Sequence, residues 1–159
     1  MAPSRSPNQT QLLEWVEQIS MYLAREGVPA IAGRVVGWLM ISDPAEQSAA
    51  EIAAAIHASR ASLTTNLRML TTMGVVTRVS RPGGRTAYYR IEDTAWKKLV
   101  ERQIASLTAF CEITQSGLNL IGPDSNRAQR IREAHQTFDW MAQVFAKAPP
   151  LPANPRKSK

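Results

Sequence analysis

The sequence is poor in the residues that build disulfides, metal sites and most catalytic centres. Its single cysteine, Cys111, excludes an intrachain disulfide and any zinc site made from several cysteines. Its two histidines, His57 and His135, belong to no cluster with metal-ligand or catalytic spacing. We therefore expect neither an enzyme nor a bound cofactor or metal, and the scarcity of cysteine agrees with a reducing compartment.

Long apolar runs are missing as well. Hydrophobic residues make up 44% of the chain, yet no run approaches the roughly 20 residues that span a bilayer. Residues 1–11 carry no apolar segment behind their charge, so they do not resemble a signal peptide. These absences predict a cytoplasmic protein without a membrane segment. A chain of 159 residues suits one domain, or one small domain extended by dimerising helices.

Acidic residues are absent between Glu51 and Glu92, while six arginines fall in that interval. The other basic residues balance the 13 acidic residues of the chain, so these six account for the net charge of +6. Charge of one sign on one segment attracts a polyanion, whereas mixed charge mainly serves solubility. A solvated basic face without a partner is the alternative. The six residues are Arg60, Arg68, Arg78, Arg81, Arg85 and Arg90.

Capping residues and apolar periodicity predict four helices in the first half of the chain. Ser6 with Gln9, and Ser48 with Glu51, have the spacing of capping boxes. The last two helices are joined by a three-residue turn, and the second of them is amphipathic, which is typical of a helix-turn-helix. The predicted helices cover 6–27, 29–42, 48–56 and 60–73, with the turn at 57–59 and Gly74 ending the fourth helix.

The apolar period changes from 3.6 toward two after Gly74. The segments 75–80 and 86–91 read as strands around the glycine turn of "RPGGR", which makes a hairpin. A helix-turn-helix followed by a hairpin is the winged-helix arrangement. The fold class is therefore mainly α with a small β-hairpin wing, and long helices follow at 93–121, capped by Asp93, and at 125–146.

The long helices carry wider apolar stripes than one small core can cover. We predict that the first and the last two helices pack against their symmetry mates, which also suits a regulator that reads two half-sites. The alternative is that they cover the wing domain of a monomer. The predicted division is a disordered N-terminus at 1–5, a dimerisation helix at 6–27, a winged helix-turn-helix domain at 28–93, dimerisation helices at 94–146 and a disordered Pro-rich basic tail at 147–159.

The helix over 60–73 has one apolar face, which leaves its polar residues outward. Small hydroxyl and amide groups let a backbone approach base edges, and arginine reaches phosphate or guanine. In the wing, Arg85 is the candidate for a minor groove, and Arg78 and Arg81 are candidates for the sugar-phosphate backbone. No acidic residue lies near these three arginines in the sequence, so we predict that all three are unpaired. The candidate residues on the helix are Arg60, Ser62, Thr64, Thr65, Asn66 and Arg68.

The segment "SAAEIAAAIHASRASLTTNLRMLTTMGVVTRVSRPGGRTAYYRIEDTAW" resembles the DNA-binding core of MarR-type winged-helix regulators, most closely their GbsR-like branch. The resemblance rests on "TNLRML", "GVVTRV", "PGGR" and "YYRIEDTAW". It implies a homodimeric, sequence-specific regulator of transcription, usually a repressor, that binds double-stranded DNA at an inverted repeat. By the same resemblance, groove-facing positions fall on Ser62, Thr64, Thr65 and Arg68, and the wing arginine on Arg85.

Regulators of this type often hold a small-molecule effector. Four tryptophans on the predicted helices are candidates for an aromatic cage around a quaternary ammonium, with ordinary core packing as the alternative. Cys111 is either a redox trigger or an inert packed residue, and its apolar stripe favours the latter. A winged helix used for protein or RNA interaction is the alternative to operator binding. The tryptophans are Trp15, Trp38, Trp96 and Trp140.

Overall fold

A computed structural model describes residues 8–122 and 124–152 of the chain. Within them, helices dominate and a small antiparallel sheet accompanies them, which confirms the predicted fold class. The described residues fall into two compact units, one ending at Ala95 and the other beginning at Trp96. The elements are α1 Gln9–Arg25, α2 Ala30–Ile41, β1 Gln47–Ser48, α3 Ala49–Ala55, α4 Arg60–Thr72, β2 Val76–Ser80, β3 Ala87–Ile91, α5 Ala95–Ile121 and α6 Ala128–Ala146.

The first helix begins on a different cap from the one predicted. Asn8 is the N-cap: its Oδ1 accepts from the backbone N–H of Gln11 at 2.8 Å, and its own N–H donates to Gln11 Oε1 at 3.1 Å. Gln9 is the first helical residue rather than the capping partner, while Ser6 and Pro7 lie outside the described residues. Asn is as effective an N-cap as Ser. The pair Asn8–Gln11 has the same spacing as Ser6–Gln9 and lies two residues later, so the sequence offers two equally good capping boxes.

The first unit is built around helices α2, α3 and α4. Ile52, Leu63, Leu70 and Val76 are among its most deeply buried side chains. Burying a side chain of this kind contributes about 1.5–3 kcal/mol, so these positions fix how the three helices pack. The Ser48–Glu51 capping box predicted for α3 is confirmed.

Helices α1 and α2 approach each other unusually closely. Gly33 of α2 faces Ser20 of α1, and Gly37 faces Val16 one turn away. A Cβ on Gly33 would lie 2.8 Å from the Ser20 Cα, so the two backbones are in direct contact. The hydroxyl of Ser20 also donates to the carbonyl of Ala30 at 2.9 Å. This contact sets the position of α1 on the core.

The helix-turn-helix and the hairpin form as predicted, with one added strand. The turn between α3 and α4 spans 56–59, one residue longer than predicted, and α4 ends before Gly74, which has a φ of +71°. The sheet has the order β1-β3-β2, in which Gln47 pairs with Tyr89 and Ser48 with Tyr88. The two-residue strand β1 was not predicted, because a segment so short has no periodicity of its own.

The second unit consists of α5 and α6. Helix α5 has 27 residues and is therefore about 40 Å long. The rings of Phe110 and Phe138 lie 4.5 Å apart between centroids, and the hydroxyl of Thr114 lies 2.8 Å from Nδ1 of His135. These contacts hold the two helices together by side-chain packing.

Two helix starts in this region differ from the prediction. Helix α5 begins at Ala95, and Asp93, predicted as its cap, binds Arg90 through its carboxylate. Helix α6 begins at Ala128 rather than near residue 125, because Ser125 bonds back to the carbonyl of Gly122 through its hydroxyl and closes a turn first. Local side-chain bonds of this type compete with helix formation.

Candidate nucleic-acid interface

Helix α4 is anchored by one apolar face. Leu63, Leu67 and Leu70 are each at most 2% exposed. Ser59 caps the helix by accepting from the backbone N–H of Ser62 at 3.2 Å. Because the leucines recur at helical spacing, the residues on the opposite side of α4 face outward.

The outward side of α4 carries Thr64, Thr65 and Arg68, all exposed, and Arg60 is exposed at the first residue of the helix. Helical spacing puts Arg68 near the middle of this arc. The hydroxyls of Thr64 and Thr65 donate to carbonyls one turn earlier, at 2.8 Å and 3.3 Å. Their oxygen lone pairs are left to accept a hydrogen bond, so the arc offers acceptors beside a guanidinium donor.

Ser62 and Asn66 lie at the edge of the arc and are half-buried. The side-chain amide of Asn66 donates to the Ser62 carbonyl at 2.8 Å, which holds it against the helix. Thr71 and Thr72 are exposed on the arc itself and were not among the predicted residues. They could have been predicted from the sequence, because they follow Thr64 and Thr65 by seven residues, which is close to two full helical turns.

The wing is the β2–β3 hairpin and the turn between its strands. Gly83 has a φ of +74°, and the N–H of Gly84 donates to the Arg81 carbonyl at 3.1 Å, so the turn depends on a glycine. Arg78 lies opposite Tyr89 and so shares its face of the sheet, while Arg85 lies in the turn. Both are exposed, and neither forms an ion pair with any residue of 8–122 or 124–152.

The expectation that all three wing arginines are unpaired is wrong for Arg81. Its Nη2 lies 3.2 Å from Oε2 of Glu46, and its guanidinium carbon lies 4.0 Å from the centre of the Tyr88 ring. Glu46 is far from Arg81 in sequence and adjoins strand β1. Because that strand was not predicted, a carboxylate beside the wing was not predicted either. Arg90 is likewise paired, with its Nη1 3.0 Å from Oδ1 of Asp93.

The carboxyl of Glu51 has a shifted pKa. The Ser48 hydroxyl, and then the Ser48 N–H, hold the pKa of the Glu51 carboxyl below its usual value, and the charge of Arg81 adds to this. The lowered pKa keeps Glu51 ionised at the start of α3, where the helix dipole also stabilises a negative charge. Glu51 is therefore held in its charged form at neutral pH.

The residues predicted for an effector site divide between the two units. Trp15 and Trp38 are half-buried on α1 and α2, whereas Trp96 and Trp140 are 43% and 65% exposed on α5 and α6. The indole N–H of Trp38 and the hydroxyl of Ser42 are enclosed without a hydrogen-bond partner among the described residues.

The other chemical candidates occupy ordinary positions. Cys111 is a free, half-buried thiol on α5. Among residues 8–122 and 124–152 there is no group of three or more histidine, cysteine or acidic side chains that could hold a metal. In the same part of the chain, no helix has both the length and the apolar character needed to cross a membrane.

A helix-turn-helix with a basic, hydroxyl-rich second helix and a hairpin with exposed arginines defines a winged helix-turn-helix DNA-binding domain. A family model described as an MmpR5-like MarR family transcriptional regulator matches residues 94–148, which include α5 and α6. The HTH-type transcriptional regulator MmpR5 of Mycobacterium tuberculosis (strain ATCC 25618 / H37Rv) is 31% identical over 138 residues, covering 86% of this chain and 84% of that protein.

A solved crystal structure of a transcriptional regulator is also similar. It shares 31% sequence identity and a TM-score of 0.65, covering 85% of this chain and 92% of that one. The chain therefore belongs to the MarR family of transcriptional regulators. It is a winged-helix, DNA-binding regulator of transcription and not an enzyme.

Proposed function

We propose that this regulator is a homodimeric repressor that binds an inverted-repeat operator, with α4 in the major groove and the wing at the adjacent minor groove. The observation that carries the proposal is the outward arc of α4, where Arg68 stands between hydroxyl acceptors. An arginine fork reads guanine, and a hydroxyl oxygen accepts from the amino groups of cytosine or adenine. Arg60, Ser62 and Asn66 extend the same contact at its edges.

The wing supplies the second contact. Arg85 lies in a turn whose glycines let the backbone come close to DNA, and no carboxylate in the described chain pairs with it. A free arginine of this kind is drawn into a narrow minor groove by its negative potential. Arg78 is the candidate for the sugar-phosphate backbone, since it is exposed on β2 and has no ion pair in the described chain. Arg81 was also predicted to contact the sugar-phosphate backbone, but its ion pair with Glu46 favours a different role.

Exposed apolar side chains on α5 support the homodimer. Leu99, Ile113 and Leu120 are 43%, 67% and 86% exposed, and their spacings are multiples of seven, as in a helical seam. Apolar groups repeated along one stripe are costly in water and are covered in a stable assembly. The stripe supports the segment 94–146 as part of the dimerisation region. We further propose that α1 joins that region, that the segment 28–93 is the DNA-binding domain and that the protein is cytoplasmic.

A small-molecule effector is a further part of the proposal. An enclosed indole N–H without a partner costs free energy that a bound acceptor would recover, and Trp38 and Ser42 offer two such groups one turn apart. The GbsR-like resemblance suggests a quaternary ammonium as the first ligand to test. Choline and betaine titrated against tryptophan fluorescence provide that test, and an unchanged signal at millimolar ligand would reject this ligand class.

DNA selected from a genomic fragment library by the purified protein tests the central proposal. The recovered sites should contain an inverted repeat, and structured RNA should not compete with them. Arg68→Ala should cost about 1–3 kcal/mol and relax the preference at one base position, whereas Arg78→Ala should weaken all sequences alike. If both variants bind as wild type does, the assigned surface is wrong.

The dimer is tested by a substitution on the α5 stripe. Leu120→Asp places a charge on the proposed seam and should shift the protein to monomer in sedimentation. Gln115→Asp is the matched control, because Gln115 is exposed on the opposite side of α5 and should leave the dimer intact. Equal sedimentation of the two variants would mean that this stripe is not the interface.

A further inference from the structure

Arg81 differs from Arg78 and Arg85 in that its charge is already matched within the chain. Its guanidinium pairs with the Glu46 carboxylate at 3.2 Å and stacks over the Tyr88 ring at 4.0 Å. The carboxylate of Glu51 is close enough for Arg81 to help stabilise its charged form. Two acids and an aromatic face thus surround a side chain that the sequence shows as a free cation.

The partners of Arg81 come from the other two strands of the sheet. Glu46 directly precedes β1, and Tyr88 lies in β3, the central strand. Arg81 itself follows the last residue of β2 and opens the turn, where its carbonyl accepts from Gly84. Its side chain therefore connects the start of the wing turn to both remaining strands. Arg85 lies four residues further along the same turn.

We propose that Arg81 is a positioning residue that fixes the orientation of the wing, while Arg78 and Arg85 make the wing's contacts with DNA. This inference rests on the proposed DNA-binding function of the hairpin. The ion pair and the stacking of Arg81 are already made in the free protein, so its charge needs no phosphate to balance it. Fixing the turn in advance reduces the entropy that ordering Arg85 costs on binding.

The number of phosphates that a protein neutralises can be counted from salt dependence. The logarithm of affinity falls with the logarithm of salt concentration by about 0.9 per phosphate contact. The probe is a fluorescent duplex of about 30 base pairs, long enough for two half-sites one helical turn apart, and binding is followed by anisotropy. Arg85→Ala and Arg78→Ala should each reduce the slope by about 0.9. Arg81→Ala should weaken binding about threefold, in line with the loss of one exposed ion pair, and should leave the slope unchanged.

Glu46→Gln gives an independent test, because the two possible roles of Arg81 predict opposite changes in DNA affinity. Removing a negative charge near the interface favours DNA binding if Arg81 contacts phosphate, since the competing partner is gone. If Glu46 holds Arg81 in a positioning role, the variant binds more weakly than wild type. Tyr88→Leu should weaken binding in the same way without a change of slope, while Tyr88→Phe, which keeps the ring, should bind as wild type does.

The outcomes separate this inference from the function on which it rests. A slope that falls by about 0.9 in Arg81→Ala, or tighter binding by Glu46→Gln, overturns the positioning role and leaves DNA binding intact. Wild-type protein that binds no duplex overturns the proposed function itself. All variants should melt well above the temperature of the binding assay, so that a lost affinity reports the wing and not unfolding.

Discussion

Replacing Gly33 with alanine tests the backbone contact between α1 and α2. The new Cβ would lie 2.8 Å from the Cα of Ser20 and 3.1 Å from its Oγ. Carbon atoms in contact are normally about 3.5–4.0 Å apart, so α1 would have to move away from α2 by several tenths of an ångström at least. The nearest atom belongs to backbone, which cannot rotate aside as a side chain can.

The expected cost follows from two opposing terms. Overpacking of a tight contact costs about 1–3 kcal/mol, and a displaced Ser20 would also lose its hydrogen bond to Ala30, worth about 1 kcal/mol. Alanine recovers about 1 kcal/mol over glycine in a helix interior. Gly33→Ala should therefore destabilise the protein by about 1–3 kcal/mol.

Two other glycines provide a graded comparison. A Cβ on Gly37 would lie 3.2 Å from the Val16 Cα, so Gly37→Ala should be less harmful than Gly33→Ala. A Cβ on Gly117 of α5 would lie 3.4 Å from Cδ1 of Ile131, the movable end of a side chain. Gly117→Ala should be neutral or stabilise by up to about 1 kcal/mol.

Urea unfolding followed by tryptophan fluorescence measures the series. With a slope of about 2 kcal/mol per molar urea, the midpoint of Gly33→Ala should fall by about 0.5–1.5 M. The order of midpoints should be Gly117→Ala, Gly37→Ala, Gly33→Ala, from highest to lowest. A Gly33→Ala midpoint at or above that of Gly117→Ala would refute the close approach of α1 and α2.

Two further predictions concern polar contacts. Glu51→Gln keeps the shape of the capping box but removes its charge. Because the pKa of Glu51 is lowered in the folded protein, wild type should melt at a higher temperature than the variant at neutral pH. The difference in melting temperature should shrink as the pH falls through that lowered pKa. Equal melting temperatures at neutral pH would contradict this. Thr114→Val removes the hydroxyl that meets Nδ1 of His135 and should cost about 1–2 kcal/mol in urea unfolding, with Thr114→Ser, which keeps the hydroxyl, close to wild type.

The elements that sequence patterns predicted well are those specified locally. The box at Ser48 and Glu51 and the positive φ at Gly74 depend on residues within one turn, and both occur where they were expected. The first cap was misplaced because Ser6 and Asn8 present competing local signals. Periodicity of the leucines likewise predicted the outward face of α4, on which Thr64, Thr65 and Arg68 are exposed.

Long-range pairing could not be predicted in this way. Strand β1 exists because Gln47 and Ser48 meet β3, a contact across some forty residues, and not because of its own two residues. The ion pair between Glu46 and Arg81 depends on that strand. An acid-free interval in sequence is therefore not an acid-free surface, since folding brought Glu46 from just before the interval and Asp93 from just after it.

The two ion pairs change the charge available to DNA. Of the six arginines in the acid-free interval, Arg81 and Arg90 are paired with carboxylates, which leaves four without an ion pair in the described chain. If each arginine neutralises about one phosphate charge, whether it lies at the backbone or in a groove, six would give a salt slope of about −5.4 per protomer, and four would give about −3.6. A wild-type slope near the smaller value would mean that the ion pairs persist on DNA, whereas the larger value would mean that binding breaks them. The four arginines are Arg60, Arg68, Arg78 and Arg85.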